Sequence, residues 1–281
     1  MTLHMAPDTQ IAKLLADIAA CHSAVLPGGR LLLFAGSYHI GYVKTDLAAR
    51  LQALEPMITL SADSVVMPQA LLARLNDLAV AAGVTLRQED FDVRATPEGE
   101  VLGVLDRGAL PQFGVLGMGV HMNGLVRKPD GWYLWVARRA ANKKLDPGKL
   151  DHLVAGGVPA GYTPFETLLK EAEEEAGLDE SLTAKAREVA RFGYDMDRPE
   201  GLRRDVIYAY DLELPEDFQP QAMDGEVESF DLWPLAQVRE TLLTTDEFKF
   251  NVILVLVDLL LRHGLFAPAQ AALLQAALHR V

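Results

Sequence analysis

"KEAEEEAGLD", residues 170–179, is the stretch on which the fold of this chain turns. It crowds Glu171, Glu173, Glu174 and Glu175 together. Like charges three and four apart on a helix repel by roughly 0.2–0.5 kcal/mol per pair. The helix itself is nevertheless well marked. "TPFE" sets Thr163 at the N-cap, Pro164 at the first helical position and Glu166 at the third, a capping box. Gly177 suits the left-handed residue that ends a helix. Phe165, Leu168, Leu169, Ala172 and Ala176 recur at helical spacing and are expected to form the buried stripe. At about 100° per residue, Glu171, Glu174 and Glu175 share a neighbouring face, whereas Glu166 and Glu173 point elsewhere. A divalent cation among the three would offset their repulsion, and Mg²⁺ takes such carboxylates together with substrate phosphates. The alternative is a solvated acidic face.

The preceding stretch, "GGVPAG" at 156–161, shifts the balance toward a site. Gly156 and Gly157 are expected in a loop, at backbone angles other residues avoid. A strand, a Gly-Gly loop and an acidic helix make a compact place for a phosphate and its metal. From Gly156 to Leu178 the sequence resembles the signature of the Nudix hydrolases. That signature is Gly, five residues, Glu, seven residues, then Arg-Glu-aliphatic-any-Glu-Glu-any-Gly-aliphatic. Gly156, Glu171, Ala172, Glu174, Glu175, Gly177 and Leu178 stand in register with no insertion. Two positions depart from it. Tyr162 stands where the first Glu is expected. Lys170 stands where the Arg is expected, keeping the charge but not the bidentate fork.

The resemblance implies an α/β/α sandwich with a mixed sheet, and hydrolysis of a diphosphate linkage. It implies Mg²⁺, with Mn²⁺ as the alternative ion, bound by Glu171, Glu174 and Glu175. Glu171 and Glu174 would be catalytic, and Glu226 in "DGEVESF" would be the base or a further ligand, with Glu228 the second choice. "GVHMNGLVR", "WVARRAANKKLDPGKLDHLVAGGVPAG", "DGEVESFDLWPL" and "FKFNVILVLVDLLLRHG" look like the branch related to the Nudix domain beside some fungal thiamine pyrophosphokinases. That branch implies thiamine diphosphate-like substrates, damaged oxo and oxy forms included. ADP-ribose, another nucleoside diphosphate derivative, or binding without chemistry are the alternatives.

Charge adds a second element. Arg138, Arg139, Lys143 and Lys144 follow closely on a chain of formal net charge −13, an anion patch for substrate phosphates. Arg138, Arg139, Lys144, Gly156 and Gly157 are therefore the expected substrate-binding residues. The same acidity argues against nucleic acid and anionic membrane surfaces as partners. "NVILVLVDLLL" carries Asp258 and is too short to span a bilayer. The single cysteine, Cys21, fits a buried thiol in a cytoplasmic protein, and no secretory signal is visible.

Two domains are expected, an accessory α/β unit at 1–112 and the hydrolase domain at 113–281. A homodimer is left open as one use of the first. In that unit Asp8 is a candidate helix cap, "GRLLLFAG" a buried strand, and "DLAARLQAL" and "PQALLARLNDLAVAAG" helices. "TLRQEDFDVRAT" and "EVLGVLDRG" read as short strands. His39 and Tyr42 are expected to pack. In the second unit "KPDG" reads as a hairpin turn between two strands, and "RRDVIYAYDLELP" as a further strand. His121 and Asn123 either line the pocket or sit satisfied in the core. Trp135 and Trp233 either stack on a ligand ring or pack.

Overall fold

A computed structural model describes residues 9–142, 145–223 and 225–279. The centre of the molecule is a seven-stranded sheet. Its main path runs β11 (Arg187–Arg198), β12 (Gly201–Glu213), β7 (Leu116–Lys128), β8 (Gly131–Arg139) and β13 (Val227–Pro234). Two short strands, β9 (Leu150–Asp151) and β10 (Val154–Gly157), pair with β8 and β7. β7 and β12 run parallel and the other pairs antiparallel, so the sheet is mixed. The "KPDG" turn closes the β7–β8 hairpin, with Lys128 paired to Gly131. Gly131 has φ 144°, which a side chain would strain.

Strand alternation divides the core into two layers. Along β12, Val206, Tyr208 and Tyr210 face helix α5 (Pro164–Ala176). Ile207 and Ala209 face the opposite layer. That layer holds α1 (Thr9–Cys21), α7 (Leu235–Thr244), α8 (Val252–Arg262) and α9 (Pro268–Ala277). The expected α/β/α sandwich is therefore present. β11 has no counterpart in the sequence reading, yet it pairs with β12 along its whole length. Its signal was the alternation of Phe192, Tyr194 and Met196, all buried, with polar neighbours.

A smaller α/β unit precedes the sandwich. Its sheet has the order β2 (Tyr38–Val43), β1 (Leu31–Ala35), β4 (Ser64–Met67), β3 (Thr59–Leu60). Helices α2 (Thr45–Leu54) and α3 (Leu75–Ala81) flank it, and Leu33, Val65, Met67 and Phe113 lie in its core. A separate hairpin pairs β5 (Asp90–Val93) with β6 (Gly103–Asp106), and α4 (Leu110–Phe113) leads into β7. The candidate cap Asp8 lies outside the described residues. Helix α1 belongs elsewhere: Ile11, Leu14, Ile18 and Cys21 are buried in the sandwich layer with α7, α8 and α9. Burial lifts the Cys21 thiol to about 12, so it is a protonated packing group.

Candidate active site

Helix α5 is aimed by its ends. Thr163 Oγ1 accepts the Glu166 N–H at 3.2 Å, and Glu166 Oε2 accepts the Thr163 N–H at 2.8 Å. Gly177, at φ 66°, closes the other end in the left-handed region. The rotation this fixes differs from the expected stripe. Leu168, Ala172 and Ala176 are buried, but Phe165 is exposed and Leu169 only partly covered. Thr167 and Glu175 take the buried places instead. The Phe165 ring lies tilted at 50° to that of Tyr210, with centroids 6.2 Å apart.

The three signature glutamates consequently have three environments. Glu175 is buried, and its Oε2 accepts the Ala155 N–H of β10 at 2.8 Å. Burial pushes its pKa well above the usual carboxylate range, with Glu171, Asp151 and Glu226 adding to the rise. Glu171 is raised less, again chiefly by burial, because Lys170 opposes it. Glu174 faces solvent and meets the Lys170 Nζ at 2.5 Å, while the same Nζ stands 3.4 Å from Glu171. Lys170 thus holds two of the carboxylates.

Gly156 and Gly157 do not form a loop. They end strand β10, paired with Val120 and Gly119, and neither has positive φ. What the site requires at these positions is the absence of a side chain. A Cβ on Gly156 would stand 2.5 Å from Glu171 Cγ and 2.8 Å from its Oε2. A Cβ on Gly157 would stand 2.6 Å from the Phe91 ring of the preceding unit.

Glu226 lines a small cavity with Glu175, His152, Asp151 and Arg139. Its backbone carbonyl accepts the Ala140 N–H at 2.9 Å. Glu228 is exposed, where the β8–β13 register shifts between Val227 and Ser229. Arg139 is committed to the interior: it donates to Asp151 at 2.8 Å and to the carbonyls of Leu145 and Asp146. Arg138, more exposed, donates to the Gly148 carbonyl at 2.9 Å. Lys143 and Lys144 lie outside the described residues. His121 and Asn123 are core polar groups. Asn123 donates to Asp211 at 2.8 Å, and the Nδ1 atoms of His121 and His152 are 2.8 Å apart. Trp135 is buried, and Trp233 packs edge-on against Phe248. His39 bonds the Gly41 carbonyl and meets the Tyr42 ring edge-on.

A buried ionic network, almost silent in the sequence, lies beside the glutamates. Asp151 accepts from Arg139, from Lys249 at 3.2 Å and from the His152 N–H at 3.0 Å. Burial drives His121 well below its ordinary pKa and His152 down to about 4, so both are neutral at pH 7. The only hint was a lysine, Lys249, amid the apolar run before α8. His121, Asp151 and His152 offer donor atoms within 4.8 Å of one another. A dication there would meet the buried Arg139 and Lys249, which already neutralise Asp151. The three signature glutamates do not gather their donor atoms that closely among the described residues, but their chemistry is that of Mg²⁺ ligands. They are hard oxygen donors, two are withdrawn from water, and Gly156 leaves room for one beside β10.

A family model described as "NUDIX domain" matches residues 119–254. "Nudix hydrolase 20, chloroplastic" from Arabidopsis thaliana is 44% identical over 201 residues, covering 71% of this chain and 53% of the plant protein. "Nudix hydrolase 24, chloroplastic", from the same plant, is 44% identical over 184 residues, covering 65% and 50%. "Uncharacterized Nudix hydrolase orf19" from Rhodococcus erythropolis is 34% identical over 128 residues, covering 41% of this chain and 68% of that protein. The chain spans about half the length of the two plant relatives. No helix among the described residues is long and apolar enough to cross a membrane.

Proposed function

The chain belongs to the Nudix family, and on that premise we propose that it hydrolyses a diphosphate linkage with Mg²⁺ or Mn²⁺ held by Glu171, Glu174 and Glu175. One observation carries the proposal: Glu171 and Glu175 are drawn out of water against β10, next to a cavity lined by Glu226. Carboxylates so placed are costly as anions unless a cation joins them. Such an ion, when bound, neutralises charge on phosphoryl oxygens and polarises the attacking water.

The chain's own groups then have separate tasks. The Ala155 N–H fixes the Glu175 carboxylate, and Lys170 steadies Glu171 and Glu174 from the solvent side. Glu226 takes the proton of the attacking water. Arg138 and Lys144 contact the substrate phosphates, while Arg139 supports the site through Asp151. The single cysteine, protonated and buried, accords with a reducing compartment such as the cytoplasm.

We assign thiamine diphosphate-like compounds as substrates, their oxo and oxy forms included, with monophosphate and phosphate as products. The support is the likeness of residues 119–127, 135–161, 224–235 and 248–264 to the Nudix domain beside fungal thiamine pyrophosphokinases. The deciding experiment is a panel of thiamine diphosphate, its oxo and oxy analogues, ADP-ribose and nucleoside diphosphates, assayed for released phosphate and monophosphate. Turnover of the thiamine set with Mg²⁺, abolished by EDTA and restored by excess Mg²⁺, is expected. Turnover of ADP-ribose alone would overturn the substrate, and full activity under chelation would overturn the metal.

A further inference from the structure

The smaller unit reaches the candidate site through strand β5, and three consecutive residues make the contact. Asp90 O accepts the Ala160 N–H at 2.8 Å. Phe91 fills the space that a side chain on Gly157 would occupy. Asp92, only 6% exposed, accepts the Gly161 N–H at 3.2 Å. Its other oxygen is held by Arg94 at 2.8 Å. Residues 157–161 are therefore gripped from outside the sandwich. This segment joins the strand that fixes Glu171 and Glu175 to the helix that carries them. Gly161 sits at φ 81°, a turn with little stiffness of its own. The Asp92 carboxylate supplies what the turn lacks: a buried acceptor fixed by a guanidinium.

We infer that Asp92 is a positioning residue for the metal site, holding residues 157–161 so that the α5 glutamates keep their spacing from β10. The inference rests on those glutamates being the ligands. It gives the smaller unit a task at the site without placing any of its side chains on the substrate.

The test is calorimetric titration of MgCl₂ into the full chain, wild type against Asp92→Ala, Asp92→Asn and Gly157→Ala. Supporting groups behind metal ligands are typically worth 10–100-fold in affinity, so Asp92→Ala is expected to weaken Mg²⁺ binding about tenfold and Asp92→Asn by a smaller factor, because the amide keeps one acceptor but turns a donor toward Arg94. The asparagine Oδ1 still accepts the Gly161 N–H. Hydrogen exchange at Ala160 and Gly161 should quicken in the alanine variant and not in the asparagine variant. Gly157→Ala displaces Phe91 from the same segment while leaving Asp92 intact, so it should weaken Mg²⁺ binding in the same direction, and if Asp92→Ala does not fold it decides whether the grip of β5 on residues 157–161, through which Asp92 acts, reaches the metal site at all. Wild-type Mg²⁺ affinity in a folded Asp92→Ala protein, or in Gly157→Ala where that variant decides, overturns the inference. If wild type binds Mg²⁺ but cleaves no diphosphate, the hydrolase assignment falls, while the calorimetric comparison still decides the role of Asp92. If wild type binds no Mg²⁺, both fall.

Discussion

Glu175, proposed above as a metal ligand, is a buried carboxyl whose ionisation works against the fold. Its burial favours the protonated form, and the Ala155 N–H offsets only part of that. Glutamine resembles a protonated glutamate in shape, so Glu175→Gln is expected to leave the metal-free melting temperature unchanged or raised. Activity should fall by at least about 100-fold, the upper range for groups supporting a metal. Calorimetry of folding and an Mg²⁺-dependent phosphate-release assay check the two halves. His152 makes a separate prediction. Its folded pKa is lowered to about 4 from 6.5, so between those values the unfolded chain binds the extra proton. The stability it contributes is complete above pH 6.5 and is lost as pH falls toward 4. His121, lowered by burial and by its neighbour His152, acts in the same direction. The raised carboxyls of Glu171 and Glu175 titrate in the opposite direction, so the check is made in a Glu171→Gln/Glu175→Gln double variant: its thermal melts at pH 8, 6 and 5 should show a declining midpoint, and a flat profile would contradict the buried neutral pair. The glutamates were legible because their spacing is covalent. The partners of Asp151 were not, since Lys249 reaches it across 98 positions and Arg139 through the short pairing of β8 with β9.

At the scale of elements, helix α5 was readable at its ends and misread around its circumference. Capping chemistry is local, so Thr163, Glu166 and Gly177 announce themselves in the sequence. Which side turns inward depends on the packed neighbour, and an acidic Glu175 looks like a surface residue until Ala155 is seen beneath it. Strand β10 carries the same lesson, for paired glycines suggest a loop when the real demand is thinness. Gly156→Ala tests that demand. A methyl 2.5 Å from Glu171 Cγ must push the carboxylate or part the strand from the helix. The variant is expected to lose Mg²⁺ affinity and activity, at a stability cost of roughly 1–3 kcal/mol for overpacking. Unchanged Mg²⁺ titration and melting curves would show that Glu171 does not need the space.

For the molecule as a whole, the sequence indicated a smaller α/β unit followed by a sandwich, and both are present. It could not say where α1 packs. An amphipathic stripe reports that a helix face is buried, never which surface buries it. Cys21 donates to the Phe250 carbonyl across 229 positions of chain, so the smaller unit lies within a span clasped by the sandwich. That clasp has a kinetic meaning. Contacts within residues 31–115 are comparatively near in sequence and can form early, whereas the clasp closes a very long loop. Refolding should then proceed in two steps, a fast one that builds the smaller unit and a slower one that shuts the sandwich around α1. Trp132, Trp135 and Trp233, the chain's three tryptophans, all lie in the sandwich. Stopped-flow tryptophan emission should therefore see only the late event, while far-ultraviolet dichroism records both.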